Sequence, residues 1–282
     1  MKLSPAKEAN RLSHILDIFH QVHGAPRFPV DVTSLALDCG KQFGFADPIT
    51  AVIPADIPSF EGGLFKTGET EWTLLYNSTL ASAGRIRFTQ AHELGHYFLH
   101  RLTKQRFECT SDDMLEWPED ERTIEAEADK FASYLLMPLN DFRSQITATV
   151  DLELLGACSE RYGVSMTAAI LRWLSFTDEK AVLILSRDGF MDWAWSSTTA
   201  FAAGAFFATR KRTIPIPDAS RTANDQIRHD RNGTPVPIRV WFPHADAGLS
   251  VREMKLSAEQ YDYTLTLLLL PRIADCWTPK SE

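Results

Sequence analysis

Residues 85–100 read RIRFTQAHELGHYFLH, and this stretch sets the organisation of the first half of the chain. Good helix formers, with Leu94 and Phe98 one turn apart on an apolar stripe, predict an amphipathic helix over about 87–102. Gly95 lies inside that helix, where glycine costs about 1 kcal/mol relative to alanine. We therefore expect a backbone or a substrate to pass close to the helix at this position.

The same stretch contains an HExxH motif formed by His92, Glu93 and His96. On a helix, two histidines four residues apart project from one face, so that a single metal ion can bind both imidazoles. Zinc takes nitrogen ligands of this kind. Glu93 lies about a quarter turn away and reaches a water at the metal without binding the metal itself. The motif predicts a zinc site with its own general base.

A catalytic zinc needs a third protein ligand, and the best candidate lies on a second predicted helix over 124–138. Glu125 shares a helical face with the small Ala128, which lets the two helices approach closely. Asp129, one turn on, is placed to accept the free ring N–H of a ligating histidine. Glu127 is the alternative ligand, about 200 degrees round the helix from Glu125.

Two neighbouring polar residues have open roles. His100 lies about 12 Å of helical rise from His92, so one ion does not hold His92, His96 and His100 together. We interpret His100 as a residue that orients a ligand or caps the helix. Tyr97 and His100 are the candidates, besides the metal, for stabilising an oxyanion, and their spacing does not choose between them.

Three blocks of sequence together resemble the ImmA/IrrE family of zinc metallopeptidases, closely over roughly 5–140 and loosely over 145–200. The resemblance implies a gluzincin-like endopeptidase domain in which His92, His96 and Glu125 are the metal ligands and Glu93 is the catalytic base. It also implies that the substrates are helix-turn-helix repressors of the Xre type, cut to switch on stress-response or mobile-element genes. The blocks are Leu74–Asn77, Arg85–His96, and Glu125–Ala132 with Leu135–Pro138.

The pattern along the chain predicts an α+β fold in three parts. They are a gluzincin-like zinc metallopeptidase domain at 1–145 (a small sheet plus the HExxH helix), a helix-turn-helix-like helical segment at 146–178, and a C-terminal α/β domain at 179–282. Strands are expected at Ala51–Ile53, Gly62–Lys66 and Trp72–Tyr76. The segment Gly62–Phe65 is either an edge strand to which an extended substrate adds or a bulged structural strand.

Residues 151–174 predict two short helices joined at Gly163, the outline of a helix-turn-helix. Helices that read DNA normally carry several cations, and this segment has more acids than cations. Its charges therefore favour structural packing or docking of a repressor over DNA binding. The charged residues are Asp151, Glu153 and Glu160 against Arg161 and Arg172.

The C-terminal part changes to a strand pattern. A hairpin is predicted over 181–195, with its turn at 187–189, and further strands are predicted over 238–242 and 261–270. This part senses a ligand, covers the active site or stabilises the fold, and its sequence does not choose among these roles.

Composition bounds the class of protein. A chain of 282 residues, 44% hydrophobic and 23% charged, buries a substantial core. Its net charge of −8 argues against direct nucleic-acid binding and suits a basic protein partner. Cys39, Cys109, Cys158 and Cys276 are widely separated, which is typical of reduced cytoplasmic thiols. With no signal-like or membrane-spanning apolar run, we expect a cytoplasmic protein without a membrane partner.

The residues and the resemblance together predict a Zn²⁺-dependent endopeptidase that hydrolyses a peptide bond in an Xre-type repressor and so derepresses its genes. Two alternatives come from other classes of protein. One is a non-catalytic anti-repressor that acts by binding the repressor, and the other is a DNA-binding regulator. The presence of Glu93 counts against the first, and the acidic balance counts against the second.

Overall fold

The computed structural model of the chain describes residues 3–57, 60–80, 82–110 and 119–278. Within these residues the fold is mixed α+β, as predicted, with eight α-helices and two β-sheets. The chain forms two compact units, the first from residues 1–145 and 158–165 and the second from 146–157 and 166–282. The division into three functional domains stays a prediction.

The first unit contains five complete helices and the end of a sixth. Helix α3 begins earlier than the predicted residue 87 because Ser82 caps it, accepting a hydrogen bond from the backbone N–H of Arg85 at 3.1 Å. No helix in the described part of the chain is long and apolar enough to cross a membrane. The helices are α1 (Pro5–His23), α2 (Val32–Phe43), α3 (Ala83–His100), α4 (Glu119–Leu136), α5 (Leu139–Gln145) and α6 (Leu152–Tyr162), of which α6 runs across the boundary between the units.

A four-stranded sheet in the first unit has the order β1-β3-β2-β4. Strand β2 is antiparallel to both β3 and β4, whereas β1 is parallel to β3. Gly63 lies opposite Leu75 on one side and Glu108 on the other. Of the two alternatives for Gly62–Phe65, the edge strand is wrong, because the unpredicted strand β4 covers that edge. The structural strand agrees with this pairing, which shifts register between Phe60 and Gly62. The strands are β1 (Ile49–Ala55), β2 (Phe60–Lys66), β3 (Trp72–Asn77) and β4 (Arg106–Thr110).

The core of the first unit lies between this sheet and helix α3. Leu64 from β2, Leu74 from β3 and Leu94 from α3 are completely buried. Trp72 and Tyr97 meet edge to face with their ring centroids 6.4 Å apart. This apolar packing holds α3 rigidly against the sheet, and the HExxH motif lies on that helix.

The second unit contains an antiparallel five-stranded sheet with the order β6-β5-β9-β8-β7. The predicted hairpin is present, and its turn uses positive φ at Asp188 (48°) and Gly189 (78°). The strand predicted over 238–242 is wrong, because Ile238–Val240 form a 3₁₀ turn. The elements are α7 (Met166–Leu174), α8 (Thr198–Ala202), β5 (Lys180–Arg187), β6 (Phe190–Ser196), β7 (His229–Pro237), β8 (Ser250–Ala258) and β9 (Tyr263–Leu270).

A fully buried carboxylate, Glu253, ties an irregular segment to strand β8. Its Oε1 accepts hydrogen bonds from the backbone N–H of Thr222 at 2.6 Å and from the Thr222 hydroxyl at 2.7 Å. Its Oε2 accepts one from the indole N–H of Trp241 at 2.9 Å. Both oxygens are therefore satisfied, as is usual for a buried polar group in a structural role.

The cysteines agree with the expectation of unpaired thiols where they are described. Cys39, Cys158 and Cys276 are buried and free. Burial raises the pKa of the Cys39 thiol to about 12, which keeps it protonated and unreactive at neutral pH. The side chain of Cys109 lies outside the described residues.

Candidate metal centre

Helix α3 directs the two imidazoles of the HExxH motif to one point. The Nε2 atoms of His92 and His96 are 3.0 Å apart, and the ring centroids are 4.7 Å apart. Both residues are buried. The predicted spacing of one helical turn therefore places two nitrogen donors together, away from solvent.

Helix α4 adds the carboxylate of Glu125. Its Oε2 lies 2.9 Å from Nε2 of His92 and 3.4 Å from Nε2 of His96. In a tetrahedral zinc site with bonds of about 2.0–2.1 Å, two ligand atoms are about 3.3 Å apart. These three atoms, called the donor triangle below, have nearly that spacing, and they are the three-residue His/Cys/Asp/Glu group found among the described residues. Their geometry and chemistry fit a zinc ion.

The close approach of α3 and α4 depends on Gly95. A Cβ atom at this position would lie 3.2 Å from both Cα and the carbonyl oxygen of Ala128 and 3.1 Å from Cδ1 of Phe131. Of the two partners expected from the sequence, backbone or substrate, the structure therefore places the backbone of α4 at Gly95. This contact sets how far Glu125 lies from the histidines.

Asp129 orients the first histidine. Its Oδ1 lies 2.8 Å from Nδ1 of His92, which confirms the hydrogen bond predicted from the helical spacing. A carboxylate acceptor at Nδ1 keeps a proton there, so Nε2 is the nitrogen that can release its proton and bind a metal. Asp129 lies one helical turn after Glu125, so a single face of α4 supplies both a candidate ligand and a group that orients another.

Glu127 lies outside the donor triangle. Its Oε2 is 3.1 Å from Nε2 of His100, and Nδ1 of His100 is 3.2 Å from Nδ1 of His96. The alternative ligand from the sequence therefore contacts the second histidine through an intervening imidazole. Of the two roles proposed for His100, orienting a ligand agrees with these contacts.

The suggestion that Tyr97 stabilises an oxyanion is not supported by its position. Its hydroxyl donates a hydrogen bond to the backbone carbonyl of Asp47 at 2.9 Å, and the side chain is buried in the core. Burial also raises the pKa of this phenol. Tyr97 therefore has a packing role, which its position next to the motif did not reveal.

Glu93 is completely buried, yet neither of its carboxyl oxygens has a hydrogen-bond partner among the described residues. Burial raises the pKa of this carboxyl to about 8. Strand β2 passes directly beside it, since a Cβ atom on Gly62 would lie 3.3 Å from Oε1. A buried carboxyl without a partner is unfavourable for folding and calls for a functional explanation.

The carboxylates around the donor triangle stabilise positive charge. Burial by itself would lower the pKa of His92, but hydrogen bonds to Asp129 and Glu125 outweigh it and raise the pKa to about 10. Burial would raise the pKa of Glu125, but hydrogen bonds from His92 and His96 lower it to about 2. A divalent cation is a group that such a pocket favours.

The second histidine has a different environment. Burial lowers the pKa of His96 to about 4, which keeps its ring neutral, as a metal ligand must be. Phe107 of β4 stacks on this ring with a centroid distance of 4.5 Å and an interplanar angle of 15°. The sequence did not identify Phe107 as a neighbour of the candidate site, because β4 is too short to show a strand pattern.

The comparisons with known proteins agree with this site. The Peptidase_M78 family model, described as an IrrE N-terminal-like domain, matches residues 47–174. The matched range includes all three residues of the donor triangle, and it confirms the resemblance to the ImmA/IrrE family. No curated protein matches the chain significantly.

Among the solved structures that match, one with high coverage of both chains shows the fold. It is a Mycobacterium tuberculosis transcriptional regulator with 16% sequence identity and a TM-score of 0.52. The similarity covers 93% of this chain and 76% of the regulator's chain. At this identity the likeness concerns the fold alone.

Proposed function

We propose that this chain, which carries an IrrE N-terminal-like domain, is a zinc-dependent endopeptidase with a gluzincin-like site. The observation that carries the proposal is the buried carboxyl of Glu93, which has no hydrogen-bond partner within the part of the chain that the structure describes. It belongs to the same helical turn as His92 and follows it directly in sequence. A structural carboxylate such as Glu253 is satisfied by the protein, whereas Glu93 is left for another partner.

His92, His96 and Glu125 are the residues that would hold the ion, and three protein ligands are the number that catalytic zinc sites use. When bound, zinc supplies a Lewis acid that polarises the scissile carbonyl and makes water a nucleophile near neutral pH. Asp129 keeps the ring of His92 in the tautomer that this requires. The protein's own part is to position these groups in a largely buried site.

Glu93 acts as the general base and then as the general acid in this proposal. Its carboxylate takes a proton from the attacking water and gives that proton to the leaving amine. Because none of the described residues donates a hydrogen bond to its oxygens, both are available to the water and the amine. A positioned group of this kind contributes about 10²- to 10⁴-fold to the rate.

The substrate we propose is an Xre-type helix-turn-helix repressor, cut in the cytoplasm to derepress stress-response or mobile-element genes. The family resemblance and the net charge of −8 support a basic, DNA-binding protein as substrate. Helices α6 and α7, predicted as a helix-turn-helix-like pair, would serve in packing or in docking the repressor rather than in binding DNA. The C-terminal part would serve as a regulatory or sensor domain.

A second candidate function is regulation without catalysis, which the name of the similar solved structure, a transcriptional regulator, suggests. In it, the chain is a non-catalytic anti-repressor that removes the repressor from its operator by binding alone. The two functions differ in one respect, since only the peptidase requires the proton transfer by Glu93.

Metal content and repressor cleavage test the proposal together. We expect one zinc per chain, with lower occupancy in His92→Ala, His96→Ala and Glu125→Ala measured by atomic absorption. The zinc-loaded protein should cut the repressor at one or a few sites, and a chelator should prevent this cleavage. Casein should be a poor substrate. The Glu93→Gln variant should bind the repressor without cutting it. Operator release without cleavage would support the anti-repressor instead. Unchanged zinc content in Glu125→Ala would contradict the ligand set.

A further inference from the structure

A chain of hydrogen-bonding groups leads away from the donor triangle on the side of His96. Nδ1 of His96 is 3.2 Å from Nδ1 of His100, and Nε2 of His100 is 3.1 Å from Oε2 of Glu127. The side chains of His96 and His100 are 1% and 7% exposed, and that of Glu127 is 21% exposed. These contacts thus lead from the proposed metal ligand to a partly exposed carboxylate.

The positions of the protons in this chain follow from its two ends. A carboxylate only accepts hydrogen bonds, so Nε2 of His100 must carry a proton and donate a hydrogen bond to Glu127. A neutral His100 then has an unprotonated Nδ1, which accepts a hydrogen bond from Nδ1–H of His96. His96 consequently has its lone pair on Nε2, the atom that belongs to the donor triangle.

We infer that His100 and Glu127 are positioning residues that hold His96 in the tautomer and orientation needed to bind the metal. This inference rests on the proposed metal centre. It adds that the two ligand histidines are oriented differently, since His92 contacts the carboxylate of Asp129 directly and His96 reaches a carboxylate through a second imidazole. Groups that orient ligand histidines typically change metal affinity by about 10- to 100-fold when removed.

The alternative is that His100 only fills space. Its ring packs near Phe107, with a centroid distance of 6.1 Å, and Phe107 stacks on His96. Loss of the ring would then disturb His96 through packing rather than through a hydrogen bond. A test must separate the volume of His100 from its acceptor atom.

Two substitutions at one position make that separation. His100→Phe keeps the ring volume but removes the acceptor. His100→Asn loses the ring but places a carbonyl oxygen at the same distance along the side chain as Nδ1, where it accepts from His96. We expect His100→Phe to weaken zinc binding about 10- to 100-fold and His100→Asn to restore it largely. A structural role predicts the opposite order.

A second pair of variants tests the other end of the chain. Glu127→Leu removes the acceptor for the Nε2–H of His100, whereas Glu127→Gln keeps an amide oxygen that accepts it. We expect the leucine variant to bind zinc more weakly and the glutamine variant to bind it nearly as well as the unmodified chain. This pair also serves if a substitution of the buried His100 prevents folding.

The measurements are the zinc dissociation constant, by competition with a chromophoric chelator, and the ¹⁵N–¹H spectrum of the histidine rings in the zinc-loaded full chain. The expected spectrum has one proton on Nε2 of His100 and one on Nδ1 of His96. A proton on Nδ1 of His100, or unchanged zinc affinity in both His100→Phe and Glu127→Leu, would overturn this inference alone. Failure of the unmodified chain to bind zinc would overturn the proposed function and this inference with it.

Discussion

Replacing Glu93 with glutamine should slow hydrolysis and, at the same time, stabilise the metal-free protein. The carboxyl is completely buried and has no hydrogen-bond partner among the described residues. Burial raises the pKa of this carboxyl to about 8, so at neutral pH the folded chain must hold a proton that the unfolded chain releases, and this costs free energy. Glutamine does not titrate and avoids that cost, although its own buried amide offsets part of the gain. We expect the substitution to raise the free energy of local unfolding at pH 7 by about 1–3 kcal/mol, while the rate of hydrolysis falls by about 10²- to 10⁴-fold.

Glu253 provides a matched control, because it is also a completely buried glutamate. Its oxygens accept hydrogen bonds from the backbone and hydroxyl of Thr222 and from the indole of Trp241. In Glu253→Gln one accepting oxygen becomes an NH₂ group that faces another donor. We therefore expect the free energy of unfolding of this variant to fall by about 1–3 kcal/mol. The same chemical change should shift stability in opposite directions at the two sites.

Native-state hydrogen exchange is the suitable measurement, because the two compact units need not unfold together. Amides of α3 report on Glu93 and amides of β8 report on Glu253, in a buffer that contains a chelator. Cleavage of the repressor is measured separately on the zinc-loaded proteins. Loss of stability in Glu93→Gln comparable with that in Glu253→Gln, or full cleavage activity in Glu93→Gln, would refute the reasoning.

Two further predictions concern the first unit. Gly95→Leu should destabilise this unit by about 1–3 kcal/mol and weaken zinc binding, because the backbone of Ala128 leaves no room for a side chain. Urea unfolding and zinc titration measure the two effects. Gly68→Leu is the control and should change neither, because the nearest atom to a Cβ there is 3.8 Å away. Asp141→Asn should reduce stability at neutral pH. Burial would raise the pKa of Asp141, but hydrogen bonds from Arg161 and Tyr162 outweigh it and lower the pKa. The stability that Asp141 contributes is thus present above the unfolded pKa of about 3.9 and is lost as the pH falls through the lower folded pKa. The free energies of unfolding of the variant and the native chain, measured in urea, should therefore converge in acid. A difference that stays constant with pH would contradict this.

Much of the candidate site could be predicted from local sequence. The spacing of His92 and His96 places their nitrogens together on any regular helix, whatever surrounds it. Glu125 and Asp129 were found in the same way, because both lie on the face of α4 that also carries the small Ala128. The hairpin of β5 and β6 was equally local, since its turn residues allow positive φ.

Other features depend on contacts between segments distant in sequence, which local periodicity does not encode. Strand β2 lies inside the sheet because β4, more than forty residues later, pairs with its free edge. Glu127 meets His100 because α3 and α4 pack closely, although its position on α4 made it an alternative metal ligand. The strand predicted over 238–242 failed for the same reason, since its residues form a tight turn held by Leu249.

The sequence by itself determined which side chains form the candidate site, because helical periodicity puts the proposed ligands and the proposed base on known faces. Only the tertiary structure decided how those groups are surrounded. Glu93 is buried, with no hydrogen-bond partner among the described residues, because β2 passes beside α3. His100 contacts both His96 and Glu127 because α3 and α4 pack closely. Burial and hydrogen bonding between distant segments arise only when the helices and the sheet pack together.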